Sequence, residues 1–247
     1  MSPNVALITG ASQGIGAGLV AGYRRAGYAV VGVALSMPHS DETDYVAIEG
    51  DVAQADTARD AVDKALDRFG RIDTLVNNAG IYIGKAFTEY TLDDYRAITT
   101  VNLAGFFNMT RRVIPTMMAQ GSGHIVNVST SLVDHADSKR PAALAALTKG
   151  GLVAATRSLA IEYASHGVRA NAVSLRRHQN PPARPRVLRR AGQPPPPRTR
   201  RRSRRCRRWD PLPRTGHLCH RRDPPHRRRP GRRSLTRTPC LLSLWLR

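Results

Sequence analysis

The most constraining feature of the chain is the stretch Val5–Gly16, in which a short apolar run leads into a glycine-rich turn. The run is typical of a strand buried in a parallel sheet. Gly10, Gly14 and Gly16 follow, and residues 17–25 have a helical pattern. Glycines let a backbone approach a diphosphate closely, and a helix N-terminus presents free amides to it. The stretch predicts a dinucleotide phosphate site; an ordinary strand-to-helix turn is the alternative.

Beyond this stretch, short apolar runs alternate with longer amphipathic or Ala/Leu-rich segments. The runs predict strands and the segments predict helices. Such alternation favours an α/β fold with a Rossmann-like, doubly wound parallel sheet. The predicted strands are 5–8, 28–34, 46–48, 72–76, 124–129 and 168–173, and the predicted helices are 17–25, 55–69, 92–118 (with Pro115 a candidate break) and 144–165.

The composition changes abruptly after Ser174. Residues 1–174 contain 15 basic and 16 acidic side chains, whereas residues 175–247 contain 24 basic side chains, two acidic ones and 13 of the 17 prolines. The net charge of +21 therefore belongs to the C-terminal part. We predict a domain over residues 1–174 and an Arg/Pro-rich tail over 175–247. We expect the tail to be disordered, because proline removes backbone donors and like charges repel.

Targeting signals are not evident in the sequence. The first strand begins at Val5 with no basic region before it, and no apolar run approaches the ~20 residues that a membrane helix needs. The three cysteines, Cys206, Cys219 and Cys240, all lie in the tail and form no recognisable disulfide framework. These features predict a cytoplasmic protein with no membrane partner, and we predict no metal site.

Seven motifs occur together in the order and spacing of one protein family. They are Thr9–Gly16, Asp51-Val52, Asn77–Gly80, Asn102, Asn127–Ser129, Lys149 and Asn171–Ser174. On these motifs, residues 4–174 resemble the short-chain dehydrogenase/reductase family. The resemblance implies hydride transfer between a nicotinamide cofactor and a small-molecule carbonyl or secondary alcohol.

The resemblance also implies the cofactor contacts. Asp51 would hydrogen-bond the adenine amino group, and Val52 would pack on the ring. The remaining implied contacts are Gly10, Ser12, Gln13, Gly14, Ile15 and Gly16 at the phosphates, Asn78, Ala79 and Gly80 along the cleft, and Lys149 at the nicotinamide ribose. An acid after the second strand would bind the ribose 2′-hydroxyl of NAD. Leu35 and Ser36 stand there instead, so the cofactor is NAD or NADP, with Ser36 a candidate contact.

The implied chemistry requires a general acid/base beside the substrate oxygen. The family uses a tyrosine one helical turn before its lysine, but here Ala145 stands four residues before Lys149. Alanine cannot transfer a proton, so we expect impaired catalysis. The family's carbonyl-polarising serine corresponds to Thr130 or Ser131, and Asn102 matches the asparagine that positions a proton-relay water.

Three other residues are candidates for the missing acid. Tyr82 follows the Asn77–Gly80 turn, and Asp134 and His135 lie in a loop, residues 132–141, that differs in length from the family pattern. All three are also ordinary loop residues.

A frameshift explains the tail. Deleting one base from a permitted codon for Leu175 lets 174–181 read Ser-Pro-Gly-Val-Ile-Lys-Thr, and the same frame lets 218–230 read Phe-Val-Thr-Gly-Glu-Ile-Leu-His-Ile-Asp-Gly-Gly. Both are typical of the family. On this hypothesis the family's C-terminal helix and last strand are missing, and a homo-oligomer is expected for an in-frame parent.

Three functions therefore remain open. The first is an NAD(P)-dependent oxidoreductase, impaired in this form, and the second is a dinucleotide-binding protein without turnover. The third is a nucleic-acid-binding protein acting through the charge of its tail. The tail has no zinc pattern, aromatic series or helical period, so nucleic acid is the least favoured partner.

Overall fold

The fold is built on a parallel sheet of six strands, in a computed structural model that describes residues 2–38, 40 and 42–175. The strands are β1 (Val5–Thr9), β2 (Ala29–Ala34), β3 (Tyr45–Glu49), β4 (Thr74–Asn77), β5 (Gly123–Thr130) and β6 (Val168–Leu175). They lie in the order β3-β2-β1-β4-β5-β6, and every pairing is parallel. This is the strand order of doubly wound dinucleotide-binding sheets, and it confirms the predicted fold class.

Within the described residues, five α-helices connect and flank these strands. They are α1 (Gly14–Arg25), α2 (Ala55–Phe69), α3 (Leu92–Thr99), α4 (Gly105–Gln120) and α5 (Ala143–Glu162). The bounds of α2 are those predicted, because its apolar side chains at helical spacing are buried against the sheet and Gly70 ends it with a φ of +73°. Helix α1 starts earlier than predicted, since the glycine turn itself enters the helix at Gly14.

Where the sequence predicts one helix over residues 92–118, the structure has three consecutive helical segments. A π-helical turn, Thr100–Ala104, separates α3 from α4. The candidate break at Pro115 is absent, and α4 continues through it to Gln120. Pro115 lies on the exposed face of the helix, while Val113 and Met117 are fully buried, so tertiary packing stabilises the turn that proline weakens.

The strand order reverses direction between β1 and β4. The chain adds β2 and β3 on one side of β1, then crosses to add β4, β5 and β6 on the other. All five residues of β1 are buried, so it forms the centre of the core. Ligands of open α/β sheets bind outside the carboxyl ends of the strands at such a reversal. The topology therefore places the candidate site there.

The described part of the chain ends at Leu175 of β6, which pairs with Thr130 of β5. Strand β6 thus extends one residue beyond the predicted domain boundary, and the described residues include no seventh strand. The prediction of a disordered tail falls on residues 176–247, outside the described residues. Among the helices that are described, none has the length and apolar character needed to cross a membrane.

Candidate active site

The turn between β1 and α1 forms a tight backbone cradle. Gly10 has a φ of +66°, a left-handed conformation that glycine adopts without strain. A Cβ atom added to Gly16 would overlap the Gly10 carbonyl oxygen and lie 2.9 Å from Asn78 Nδ2. The first turn of α1, which starts at Gly14, therefore packs directly on the turn before it. Its unpaired backbone amides are the groups that bind a phosphate at a helix N-terminus.

Thr9 joins this cradle to the loop that follows β4. Its Oγ1 accepts hydrogen bonds from the backbone amides of Asn78 and Ala79, both at 3.0 Å, and donates to the Val76 carbonyl at 3.3 Å. In return, Asn78 Nδ2 donates to the carbonyl oxygens of Thr9 (2.9 Å) and Gly10 (3.2 Å). The two loops that flank the strand reversal are therefore fixed to each other.

We expect Thr9→Val to lower the free energy of unfolding by about 3 kcal/mol, since it keeps the side-chain shape but leaves two amide donors without their acceptor. Thr9→Ser retains the hydroxyl and is the matched control. Urea unfolding followed by circular dichroism measures both. Equal stability of the valine and serine variants would contradict the assigned hydrogen bonds.

A chain of buried amides fixes the carboxyl ends of β4 and β5. Asn77 Nδ2 donates to Asn127 Oδ1 (2.9 Å) and Thr110 Oγ1 (3.0 Å), and Asn127 Nδ2 donates to Thr156 Oγ1 (2.8 Å). Thr110 belongs to α4 and Thr156 to α5. The network thus links two strands to the helices behind them and makes this edge of the sheet rigid.

A cleft of about 900 Å³ lies across the carboxyl ends of the strands. Most of the predicted site residues line it. They are Gly10, Ser12, Gln13, Ile15, Gly16, Asp51, Val52, Asn78, Ala79, Gly80, Thr130, Ser131 and Lys149. At one end, Asp51 accepts a hydrogen bond from the Ala53 amide (2.9 Å) through Oδ1. Lys149 lies toward the other end, so one cleft joins the predicted adenine and nicotinamide regions.

Two predicted cofactor contacts lie outside the lining. Gly14 has a φ of +54° and begins α1 without bordering the cleft. Ser36 is exposed, because the chain bends directly after β2 and leaves Leu35, not Ser36, against the cleft. The cofactor contact at Ser36 stays a prediction.

Asn102 is also outside the lining, and its side chain is fully engaged within the protein. Its Oδ1 accepts from the Ile81 amide (2.8 Å), while Nδ2 donates to the Ile81 carbonyl (3.1 Å) and to Thr148 Oγ1 (3.1 Å). The side chain is 1% exposed and sits in the π-helical turn. It therefore positions the loop after β4, and its place beside a relay water stays a prediction.

Lys149 reaches the cleft from α5. Its Nζ donates to the Val128 carbonyl at 2.9 Å, and a Cβ added to Gly80 would lie 2.9 Å from that nitrogen. Within the described residues it has no carboxylate partner at ion-pair distance. Burial lowers the pKa of the ammonium from 10.5 to about 8, since a low-dielectric site disfavours the charged form.

Ala145 borders the same cleft one helical turn before Lys149. It is 4% exposed and packs with Ile98 and Leu144, so no ionisable group occupies the family's tyrosine position. Thr130 lines the cleft beside it, and its Oγ1 accepts from the Leu132 amide at 3.3 Å. A hydroxyl that accepts one hydrogen bond still has its own hydrogen to donate.

The three alternative acids differ in position. Tyr82 lines the cleft, but it is 54% exposed and its hydroxyl donates to the Pro141 carbonyl at 3.0 Å. Asp134 and His135 are exposed and lie outside the lining. Of the three, the structure brings only Tyr82 to the cleft.

Sequence reasoning missed several residues that line the substrate end. Arg140 is the most notable, with its Nε 3.2 Å from Asp137 Oδ2. The one feature of the sequence that could have indicated Arg140 is its position before Pro141, in the loop of unusual length. Ser129 is buried and its hydroxyl donates to the Lys149 carbonyl at 3.3 Å. The pairing of β5 with α5 that places it cannot be inferred from one sequence.

These residues fit a dinucleotide. Side chains at Gly10 and Gly16 would clash with neighbouring protein atoms, so only glycine permits this tight turn beside the cleft, and Asp51 and Lys149 supply polar groups toward its two ends. Fold and site together thus define a dinucleotide-binding α/β protein.

Comparison with known proteins places the chain within that class. The family model for short chain dehydrogenases matches residues 4–177, so the chain belongs to the short-chain dehydrogenase family, a class of NAD(P)-dependent oxidoreductases. It is 35% identical over 181 residues to the oxidoreductase UcpA of Escherichia coli K12, covering 70% of this chain and 68% of that protein.

Two solved structures show the same likeness. One is a 3-ketoacyl-(acyl-carrier-protein) reductase from Brucella melitensis complexed with NADH, with a TM-score of 0.66, 30% identity and coverage of 70% of this chain and 75% of that one. The other is a gluconate 5-dehydrogenase from Burkholderia cenocepacia in complex with NADP and tartrate, with a TM-score of 0.63, 31% identity and coverage of 70% and 71%. A short-chain dehydrogenase from Streptomyces avermitilis is matched over 65% of its length, so the similarity spans about two thirds of such proteins.

Proposed function

We propose that this chain binds NAD or NADP and interconverts a carbonyl compound and a secondary alcohol, with catalysis weakened by Ala145. The observation that carries the proposal is the single cleft that joins the glycine cradle to Lys149. The NADH and NADP held by the two related structures support the choice of cofactor.

Different residues of the chain bind the cofactor and the substrate at different positions along the cleft. When bound, the cofactor supplies or accepts a hydride. The turn at Gly10 and Gly16 holds the diphosphate, and the Lys149 ammonium donates one hydrogen bond to a ribose hydroxyl. The hydroxyls of Thr130 and Ser131, at the substrate end, donate a hydrogen bond to the substrate carbonyl and make its carbon more electrophilic.

A dinucleotide-binding protein without turnover is the second candidate function. Ala145 favours it, because the position that carries the acid/base in the family holds a buried methyl group. Both candidates require cofactor binding, and turnover separates them.

We expect the full 247-residue chain to bind NADH or NADPH saturably in a fluorescence titration, and to reduce carbonyl substrates slowly in the presence of the bound cofactor. The substrate panel includes 3-oxoacyl thioesters, because the Brucella relative is named for that reaction. Saturable binding without any turnover would favour the second candidate. A folded chain that binds neither cofactor would refute both.

We further propose that an in-frame parent forms a homo-oligomer and is cytoplasmic. Phe107 of α4 and Leu147 and Ile161 of α5 are 55%, 60% and 82% exposed. Protein interfaces bury exposed apolar side chains of this kind, so these three residues support the assembly.

The tail beyond Leu175 is proposed to arise from a frameshift, with a genuine nucleic-acid-binding tail as the alternative. Sequencing the gene across the codon of Leu175 distinguishes the two, because only a frameshift is corrected by restoring one base.

A further inference from the structure

The cleft lacks the family's proton donor, and its remaining titratable side chains differ in their fitness for that role. Within the described residues, those that line the cleft are Asp51, Tyr82, Arg140 and Lys149. Asp51 lies at the end predicted for adenine. Arg140 cannot release a proton at any ordinary pH. The Tyr82 hydroxyl directs its hydrogen to the Pro141 carbonyl. Lys149 is left as the group with a proton to transfer.

Lys149 is positioned for this transfer. It lies one helical turn from Ala145, on the same face of α5, where the missing tyrosine would project. Its Nζ uses one hydrogen on the Val128 carbonyl at 2.9 Å, and an ammonium carries three. Two N–H groups are therefore available to the cleft. Ala145, which carries only a methyl group, lines the same cleft as Lys149 and Thr130.

The electrostatic surroundings make the proton easy to release. No carboxylate within the described residues pairs with Lys149, and burial alone lowers its pKa to about 8. The Val128 carbonyl of β5 accepts its hydrogen bond, and the Asn102 amide oxygen also lies beside Gly80; neither group titrates. An acid with a pKa near the working pH is the most effective general acid/base catalyst.

We propose that the ε-ammonium of Lys149 is itself the general acid of carbonyl reduction in this chain, and that its free amine is the base of alcohol oxidation. The proposal rests on the proposed function. In reduction, the carbonyl carbon gains a hydride from the reduced nicotinamide, the C=O electron pair moves to oxygen, and an N–H bond of Lys149 breaks as the O–H bond forms. The amine then regains a proton from water.

The proposal fixes the direction of the pH dependence. Lys149 is protonated below its pKa, so the reduction rate is highest below about pH 8 and falls above it. Oxidation requires the free amine and rises through the same pH.

Two variants of the full chain distinguish proton transfer by Lys149 from the effect of its positive charge. Lys149→Arg keeps a cation that can bind the ribose but cannot release a proton, whereas Lys149→Met removes both functions. We expect both to lower kcat by on the order of 100-fold or more, with the cofactor Kd of the arginine variant changing only a few-fold. Lys64→Arg, on the exposed face of α2, is the matched control and should keep full activity. An arginine variant with the original kcat would overturn the proposal.

A second readout does not depend on turnover. Competitive acetylation at a series of pH values, read by mass spectrometry, gives the pKa of Lys149 with Lys64 as the internal reference. We expect half-reaction near pH 8 for Lys149. An ordinary pKa at Lys149 would overturn the proposal. Tight cofactor binding without any turnover would also overturn the proposal, because the cofactor site would then be intact. Loss of cofactor binding would instead refute the proposed function.

Discussion

Ala145→Tyr is expected to raise kcat for carbonyl reduction by up to about 100-fold, because a positioned acid/base group contributes roughly 10²–10⁴-fold and Lys149 already supplies part of that contribution. Ala145 borders the cleft, so a larger side chain there has open space in front of it. The phenol would lie one helical turn from Lys149, whose positive charge lowers the phenol pKa. Steady-state reduction of the substrates that the unaltered chain accepts measures the gain.

Ala145→Phe is the matched control for this gain. It places the same ring beside Ile98 and Leu144 but carries no hydroxyl, so it reports the effect of filling the cleft. Overpacking at a buried position costs about 1–3 kcal/mol of stability, which thermal unfolding of both variants would show equally. If the phenylalanine variant gained as much activity as the tyrosine variant, the missing proton donor would not be the cause of weak catalysis.

The Ala145→Tyr variant also distinguishes two roles of Lys149, which are proton donation and positive charge. Once a phenol donates the proton, the lysine only has to supply positive charge, and arginine does that as well. We therefore expect Lys149→Arg to cost much less activity in the Ala145→Tyr background than alone. Equal losses in both backgrounds would show that the lysine is needed for something other than its own proton.

Much of this architecture could be predicted from the sequence, because it follows from local patterns. Buried strands appear as apolar runs, and the carboxyl ends of parallel strands meet at one edge, so the residues after β1, β4 and β5 had to converge. Helix α2 was predicted to the residue because its buried alanines recur at helical spacing.

Other features depend on contacts that no local pattern reports. The π-helical turn at Asn102 follows from three hydrogen bonds to Ile81 and Thr148, residues distant in sequence. The place of Ser36 depends on a bend after β2, and that of Arg140 on how an unusual loop packs against the cleft. The catalytic roles of Thr130 and Ser131 stay predictions, since the structure fixes where the hydroxyls lie and not what they react with.

Gly16→Ala is expected to weaken cofactor binding by on the order of 100-fold, which corresponds to about 2.7 kcal/mol. The added Cβ would overlap the Gly10 carbonyl oxygen and lie 2.7 Å from the Gly10 carbonyl carbon. These are backbone atoms, which cannot rotate away as the end of a flexible side chain can. The turn must therefore shift, and the amides that hold the diphosphate shift with it.

Gly18→Ala provides a control two residues further along the same helix. A Cβ at Gly18 would meet nothing within 4 Å, and alanine is the better helix former by about 1 kcal/mol. We expect this variant to bind NADH or NADPH as the unaltered chain does and to unfold at the same or a slightly higher temperature. Fluorescence titration of both variants, after circular dichroism has shown that they are folded, makes the comparison. Equally tight cofactor binding by Gly16→Ala and Gly18→Ala would contradict this expectation. It would show that diphosphate binding does not depend on the close approach of α1 to the Gly10 turn.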